Sequence, residues 1–131
     1  MSEPLWLSAE IVYDIHAEQL ALFGGPGGIR DPGLLESALA RPLNRFAYGE
    51  TDLAVLAAAY ASGIARNLPF IDGNKRGALL ALLVFLRLNG VAFAPSQESA
   101  AAAILALAAG EVDEEGLTRW IRDNWPKEAA R

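Results

Sequence analysis

The sequence predicts an all-α protein, a compact bundle of about six helices, and three observations predict it. Apolar residues recur at helical spacing along most of the chain, and no segment alternates apolar and polar long enough to read as a strand. Capping residues stand before the apolar stretches (Ser8, Asp31, Ser96 and Asp113), and glycines such as Gly90 and Gly110 stand just after them. A composition that is 53% hydrophobic and 21% charged belongs to a chain that buries a core, not to a disordered one. At 131 residues the chain is long enough to fold without staples, and it reads as one domain over 1–131.

The elements follow in order. Ser8 caps a first helix running to about Phe23, with Ile11, Ile15 and Leu22 on one stripe and Glu10, Asp14 and Glu18 on another. Gly24-Gly25-Pro26-Gly27-Gly28 breaks it. No Gly-Lys-Ser/Thr follows, so this stretch reads as a flexible connector and not as a phosphate loop. Asp31-Pro32 starts a second helix, a capping side chain followed by proline at the first helical position. That helix carries Leu34, Leu35, Ala38 and Leu39 and stops before Pro42. Arg41 to Glu50 reads as irregular, with a short hairpin open to it, and contains Phe46 and Tyr48, which no local pattern buries. Thr51 caps a third helix, Asp52 to Asn67, which Pro69 ends. Asn74 caps a fourth, continuing to Leu88. Ser96 and Asp113 open two more, the first ending at Gly110, and Trp120 and Trp125 lie near the end of the chain.

Several function classes are disfavoured. Without cysteine there is neither a disulfide nor a thiolate metal site. Met1-Ser2-Glu3-Pro4 lacks the basic start and apolar stretch of a secretory signal. The apolar runs Ala78–Leu86 and Ala100–Ala109 fall short of the roughly 18–20 residues that cross a bilayer, so a cytoplasmic protein is expected. A net charge of −5 repels phosphate backbones and argues against direct DNA or RNA binding, while leaving room for one local basic pocket. The single histidine, His16, falls on the face of Val12 and Leu20, and nothing in the sequence aims it at another motif. It reads as a boundary histidine with a structural hydrogen bond.

Chemistry concentrates in Asn67-Leu68-Pro69-Phe70-Ile71-Asp72-Gly73-Asn74-Lys75-Arg76. Lys75 and Arg76 lie in the first turn of a helix, where cations meet the positive end of the dipole at a cost of roughly 0.3–1 kcal/mol each. An anion seated on that helix end would remove the conflict, held by backbone N–H groups, the dipole, lysine and a bidentate arginine. Asp72, just before the helix, could hold Mg²⁺ between two phosphates. The alternative is that Asp72 and Arg76 pair with other surface charges, and the residues alone leave both readings open.

Pro69 to Arg76 resembles the signature of the Fic/Doc family, His-Pro-Phe-x-Asp-Gly-Asn-Lys/Gly-Arg. Arg30-Asp31-Pro32-Gly33-Leu34-Leu35-Glu36-Ser37-Ala38-Leu39-Ala40-Arg41-Pro42 and the lead-in Ala65-Arg66-Asn67 are similar to the Doc branch. The resemblance implies an all-helical fold and transfer of a phosphoryl group from ATP or another nucleoside triphosphate to a protein hydroxyl. For Doc-like toxins of toxin–antitoxin modules the target is elongation factor Tu. It also implies a Phd-like antitoxin whose C-terminal helix fills a groove on the toxin. By position it assigns Asp72 to Mg²⁺, Gly73 and Asn74 to the anion-binding turn, and Arg76 to the phosphate clamp. Lys75 stands where adenylyl-transferring members carry glycine, which favours phosphoryl over adenylyl transfer. Phe70 is expected to anchor the loop in the core. Arg41–Glu50 falls where the family has a flap that positions the target, with Phe46 and Tyr48 as candidate contacts.

One position departs. Leu68 stands where the family has the histidine that accepts the target hydroxyl's proton. Leucine accepts no proton, and loss of a general base costs about 10²–10⁴ in rate. The chain is therefore expected to be catalytically silent, with Leu68 buried in the pocket that an imidazole would edge. Two origins are open: a single-base alteration of an active chain, or a natural pseudoenzyme that kept an anion site or a partner groove. A non-catalytic binding module is the rival from another class.

Overall fold

Alanine, glycine or serine fills eight of the fifteen positions of Leu53–Asn67, and a helix so thin over much of its length can be surrounded. The computed structural model describes residues 3–127, and within them this segment is a helix in which Ala54 and every residue from Leu56 to Ala65 is buried. The helices in chain order are α1 (Ala9–Phe23), α2 (Pro32–Ala47), α3 (Leu53–Asn67), α4 (Asn74–Leu88), α5 (Gln97–Ala108) and α6 (Glu114–Asp123). α3 is central: α2, α4, α5 and α6 all pack on it, while α1 lies across α4 and α2. At Gly63 the approach of α2 is so close that a Cβ would sit 3.0 Å from the Cα of Ala38. Tyr60, Phe85, Phe93, Leu35 and Ile121 fill the core around this axis. The all-α expectation holds. No named strand occurs among the described residues, which carry one isolated bridge, between Ile29 and Phe70.

Local signals set most helix starts. The side chains of Ser8, Asp31, Ser96 and Asp113 each accept from an N–H of the following turn. At α3 the cap is Asp52 and not Thr51, for the Asp52 carboxylate takes the Ala54 N–H at 2.8 Å. The second helix does not stop before Pro42. It runs through that residue to Ala47, and neither irregular chain nor hairpin forms there. Proline inside a helix costs about 3 kcal/mol in isolation. Here contacts from outside hold the turns on both sides of it. Pro42 is buried, and Arg41 and Arg45 both reach Glu114 at the start of α6, the latter at 2.6 Å. Phe46 meets the Trp6 ring edge-on with centroids 5.5 Å apart. Tyr48 stays 92% exposed, just past the helix end.

The inward face of α1 also differs from the predicted stripe. Val12 and His16 are buried, Ile11 and Ile15 are partly so, and Leu22 is exposed. Among the described residues no helix is long and apolar enough to cross a membrane.

Two stability predictions follow from these contacts. Glu114 is buried between two half-exposed arginines, so Glu114→Ala should lower unfolding free energy by roughly 1–3 kcal/mol in denaturant titration, less than for a fully buried pair. The Tyr60 hydroxyl accepts the Leu7 N–H at 3.0 Å, and burial pushes its pKa up from 10.0 to about 12. Its neutral form is favoured by folding, so its contribution is complete below pH 10 and disappears as pH rises towards 12. Thermal unfolding should show a fall across that window that Tyr60→Phe removes.

Candidate functional site

The segment between α3 and α4 is held from two sides. Its entry is gripped by Arg30: Nε donates to the Leu68 carbonyl at 2.8 Å and Nη2 to that of Asn67 at 2.9 Å. The backbone N–H of Arg30 donates to the Pro69 carbonyl at 2.7 Å, and Ile71 N–H to that of Gly28 at 3.3 Å. Phe70 drops into the core with 1% exposure, as the sequence predicts. Its ring lies flat on that of His16, centroids 3.8 Å apart and planes 6° from parallel. His16 Nε2–H donates to the Asp72 carbonyl at 2.8 Å; a carbonyl only accepts, so Nε2 carries the proton. The structural hydrogen bond predicted for His16 is present, but its target is the motif itself, to which no sequence pattern pointed.

Leu68 is the only non-glycine at positive φ among the described residues, at φ 51° and ψ 54°. It closes α3 with its N–H on the Ile64 carbonyl, a place glycine usually takes, and the left-handed conformation costs a leucine roughly 1–2 kcal/mol. Pro69 contributes by disfavouring the right-handed alternative, and Arg30 holds both carbonyls of the turn. The Leu68 side chain is not buried as expected. It is 49% exposed, on the wall of a cleft.

Asn74 does not cap α4. Its side chain turns back to Phe70, accepting that residue's N–H at 3.0 Å and donating to its carbonyl at 2.9 Å. The cap position falls to Gly73, at φ 82°, with no side-chain hydrogen bond to the helix. The first helical bond runs from Gly77 N–H to the Gly73 carbonyl at 2.8 Å. The N–H groups of Asn74, Lys75 and Arg76 therefore precede any helical partner and project from the positive end of the dipole. Asp72 Oδ1 accepts the Gly73 N–H at 2.8 Å, and its carboxylate stays exposed. Its Oδ2 faces Gly25, where a Cβ would come within 2.6 Å, so the glycine-rich connector packs closely on the motif.

Leu68, Asp72, Gly73, Asn74, Lys75 and Arg76 all line one cleft of about 780 Å³. The Arg76 guanidinium lies 3.8 Å from the centre of the Phe23 ring, a cation–π contact at the end of α1. Arg66, from the last turn of α3, adds a third cation to the lining, and His16 closes the floor. Neither Arg66, Lys75 nor Arg76 belongs to an ion pair among the described residues. Among the described residues no group of three or more histidine, cysteine, aspartate or glutamate side chains gathers as a ready metal cage. Asp72 contributes the one acidic side chain that lines the cleft.

The Fic family model, described as the Fic/DOC family, matches residues 6–86, more than half of the chain. The chain belongs to the Fic/Doc family. Within it the similarity is to the Doc branch. "Protein kinase doc" of Escherichia phage P1 is 38% identical over 117 residues, covering 88% of this chain and 92% of that protein. "Toxin Doc" of Mycolicibacterium smegmatis is 45% identical over 75 residues, 55% of this chain and 57% of its own. The family signature thus lies on the α3–α4 turn and the first turn of α4. Four residues that face or hold it were not legible as such: His16, Arg30, Arg66 and Gly25.

Asn74 supplies the closing bonds of this turn. Asn74→Ala should destabilise the protein by about 1–3 kcal/mol, through the unsatisfied Phe70 backbone groups, as a lowered midpoint in thermal or denaturant unfolding.

Proposed function

We propose that this chain is a Doc-like toxin of a toxin–antitoxin module, built for phosphoryl transfer from ATP or a related triphosphate to a protein hydroxyl and silenced at Leu68. The observation that carries the reading is the convergence on one cleft of an uncapped helix start, Lys75, Arg76 and the lone carboxylate of Asp72. The N–H groups of Asn74 to Arg76 would bind phosphate oxygens with the dipole behind them. Arg76, steadied on Phe23, would clamp one phosphate bidentately, and Lys75 would add a point charge. Asp72 would hold Mg²⁺, which supplies charge neutralisation on the phosphates when bound.

The target hydroxyl approaches past position 68 in this reading. With leucine there its proton has no acceptor, and turnover drops by the 10²–10⁴ that a general base provides. The relatives' names support the toxin descent, one being a kinase by name and the other a toxin. Elongation factor Tu as target remains the implication of the resemblance. Lys75 argues against adenylyl transfer on the same ground. A Phd-like antitoxin helix has a candidate seat beside the cleft, an apolar groove of about 490 Å³ lined by Phe23, Leu79, Leu83, Phe93 and Ala100, with Arg76 on its rim. That groove also serves the binding-module alternative, in which the chain engages a partner without chemistry.

Restoring the histidine tests the reading. Leu68→His, expressed under tight control beside the parent chain, should arrest growth and translation while the parent does not, and Arg76→Ala in the restored background should abolish the arrest. A folded, harmless Leu68→His protein would move the binding module to the front.

A further inference from the structure

The only histidine of the chain is buried to 5% exposure and does no work in the chemistry proposed above. Its position is nevertheless specific. The ring lies on Phe70 at 3.8 Å, its Nε2–H donates to the Asp72 carbonyl at 2.8 Å, and the same nitrogen sits 3.5 Å from where a Gly73 Cβ would be. Stacking fixes the plane of the imidazole, and the hydrogen bond fixes the peptide between Asp72 and Gly73. That peptide carries the N–H which the Asp72 carboxylate accepts, and the next residue begins α4. Rotating it would turn the carboxylate and tilt the free N–H groups together.

We infer that His16 is a positioning residue of the anion site: it acts from α1, through the Asp72 carbonyl, to orient both the Asp72 carboxylate and the N-terminal turn of α4. The inference rests on the reading of the cleft as a nucleotide site. An apolar side chain of similar size would fill the same space and keep the core packed, but it would leave the Asp72 carbonyl without its donor.

Two variants of the parent chain separate orientation from packing. His16→Phe keeps a flat ring on Phe70 and loses the donor; His16→Gln keeps an N–H at similar reach and loses the ring. Amide exchange of Phe70 and Gly77, whose N–H groups are bonded within this turn, and of Ile71, whose N–H is held by the Gly28 carbonyl of the connector, is followed beside the binding of Mg·ATP by calorimetry. In His16→Phe both exchange at these amides and the dissociation constant should rise about tenfold, the change one hydrogen bond supports. In His16→Gln both should return to within about threefold of the parent. Parental exchange in this turn of His16→Phe, or raised exchange with unchanged Mg·ATP affinity, overturns the inference. If His16→Phe does not fold, raised exchange in His16→Gln overturns it and parental exchange supports it. Absence of Mg·ATP binding by the parent would count against the nucleotide reading alone, because exchange still decides whether His16 sets the turn.

Discussion

The structure depends on how near other helices come to α3. A helix buried along its middle exposes little but its ends to water, so its stability comes from close approach of its neighbours, and alanine and glycine permit that approach. At Gly63 α2 lies against bare backbone. Surrounding α3 in this way also fixes where it ends. Asn67 and Leu68 emerge at a set position, and the left-handed turn at Leu68 directs Pro69 and Phe70 back into the core. The cleft therefore inherits its shape from the packing of a helix whose middle never touches it.

The signature residues divide by what the fold asks of them. Phe70, Gly73 and Asn74 are required to build the turn: one is an anchor, one takes a positive φ, and one closes the backbone bonds. They would be retained by a chain with no chemistry left. Lys75 and the Asp72 carboxylate are exposed, and the Arg76 guanidinium lies on the exposed Phe23 ring. The side chains of these three are not required by the turn itself, whereas Gly73 and Asn74 are.

Legibility followed the range of the interactions. Ser8, Asp31, Ser96 and Asp113 announce helix starts because a cap needs only its own next turn. Proline at position 42 misleads because its cost is met by Glu114, far along the chain, and by Trp6 from the other direction. Asn74 reads as a cap because its type is right; its side chain bonds backward to Phe70, a choice that the loop geometry makes. Lysine and arginine in the first turn contradict the helix dipole and single out the motif, but the residues alone leave anion binding and surface pairing both open, and the assignment comes from the resemblance to the Fic/Doc signature. Arg30 and His16 were not legible, since each meets the motif only once α1 and the connector have folded over it. On α1 the buried face lies one residue out of phase with the predicted stripe, with Val12 and His16 buried and Ile11 and Ile15 only partly so.

The charge distribution has a kinetic corollary. The chain carries −5 overall, yet the cleft presents Arg66, Lys75 and Arg76 against the single carboxylate of Asp72. An approaching anion is repelled by the body of the molecule out to about the Debye length, roughly 10 Å in 0.1 M salt, and attracted only near the mouth. Added salt thus acts in opposite senses on the two halves of an encounter. It eases the approach by screening the distant repulsion, and it hastens departure by weakening the short contacts, so equilibrium affinity would conceal changes that the separate rates reveal.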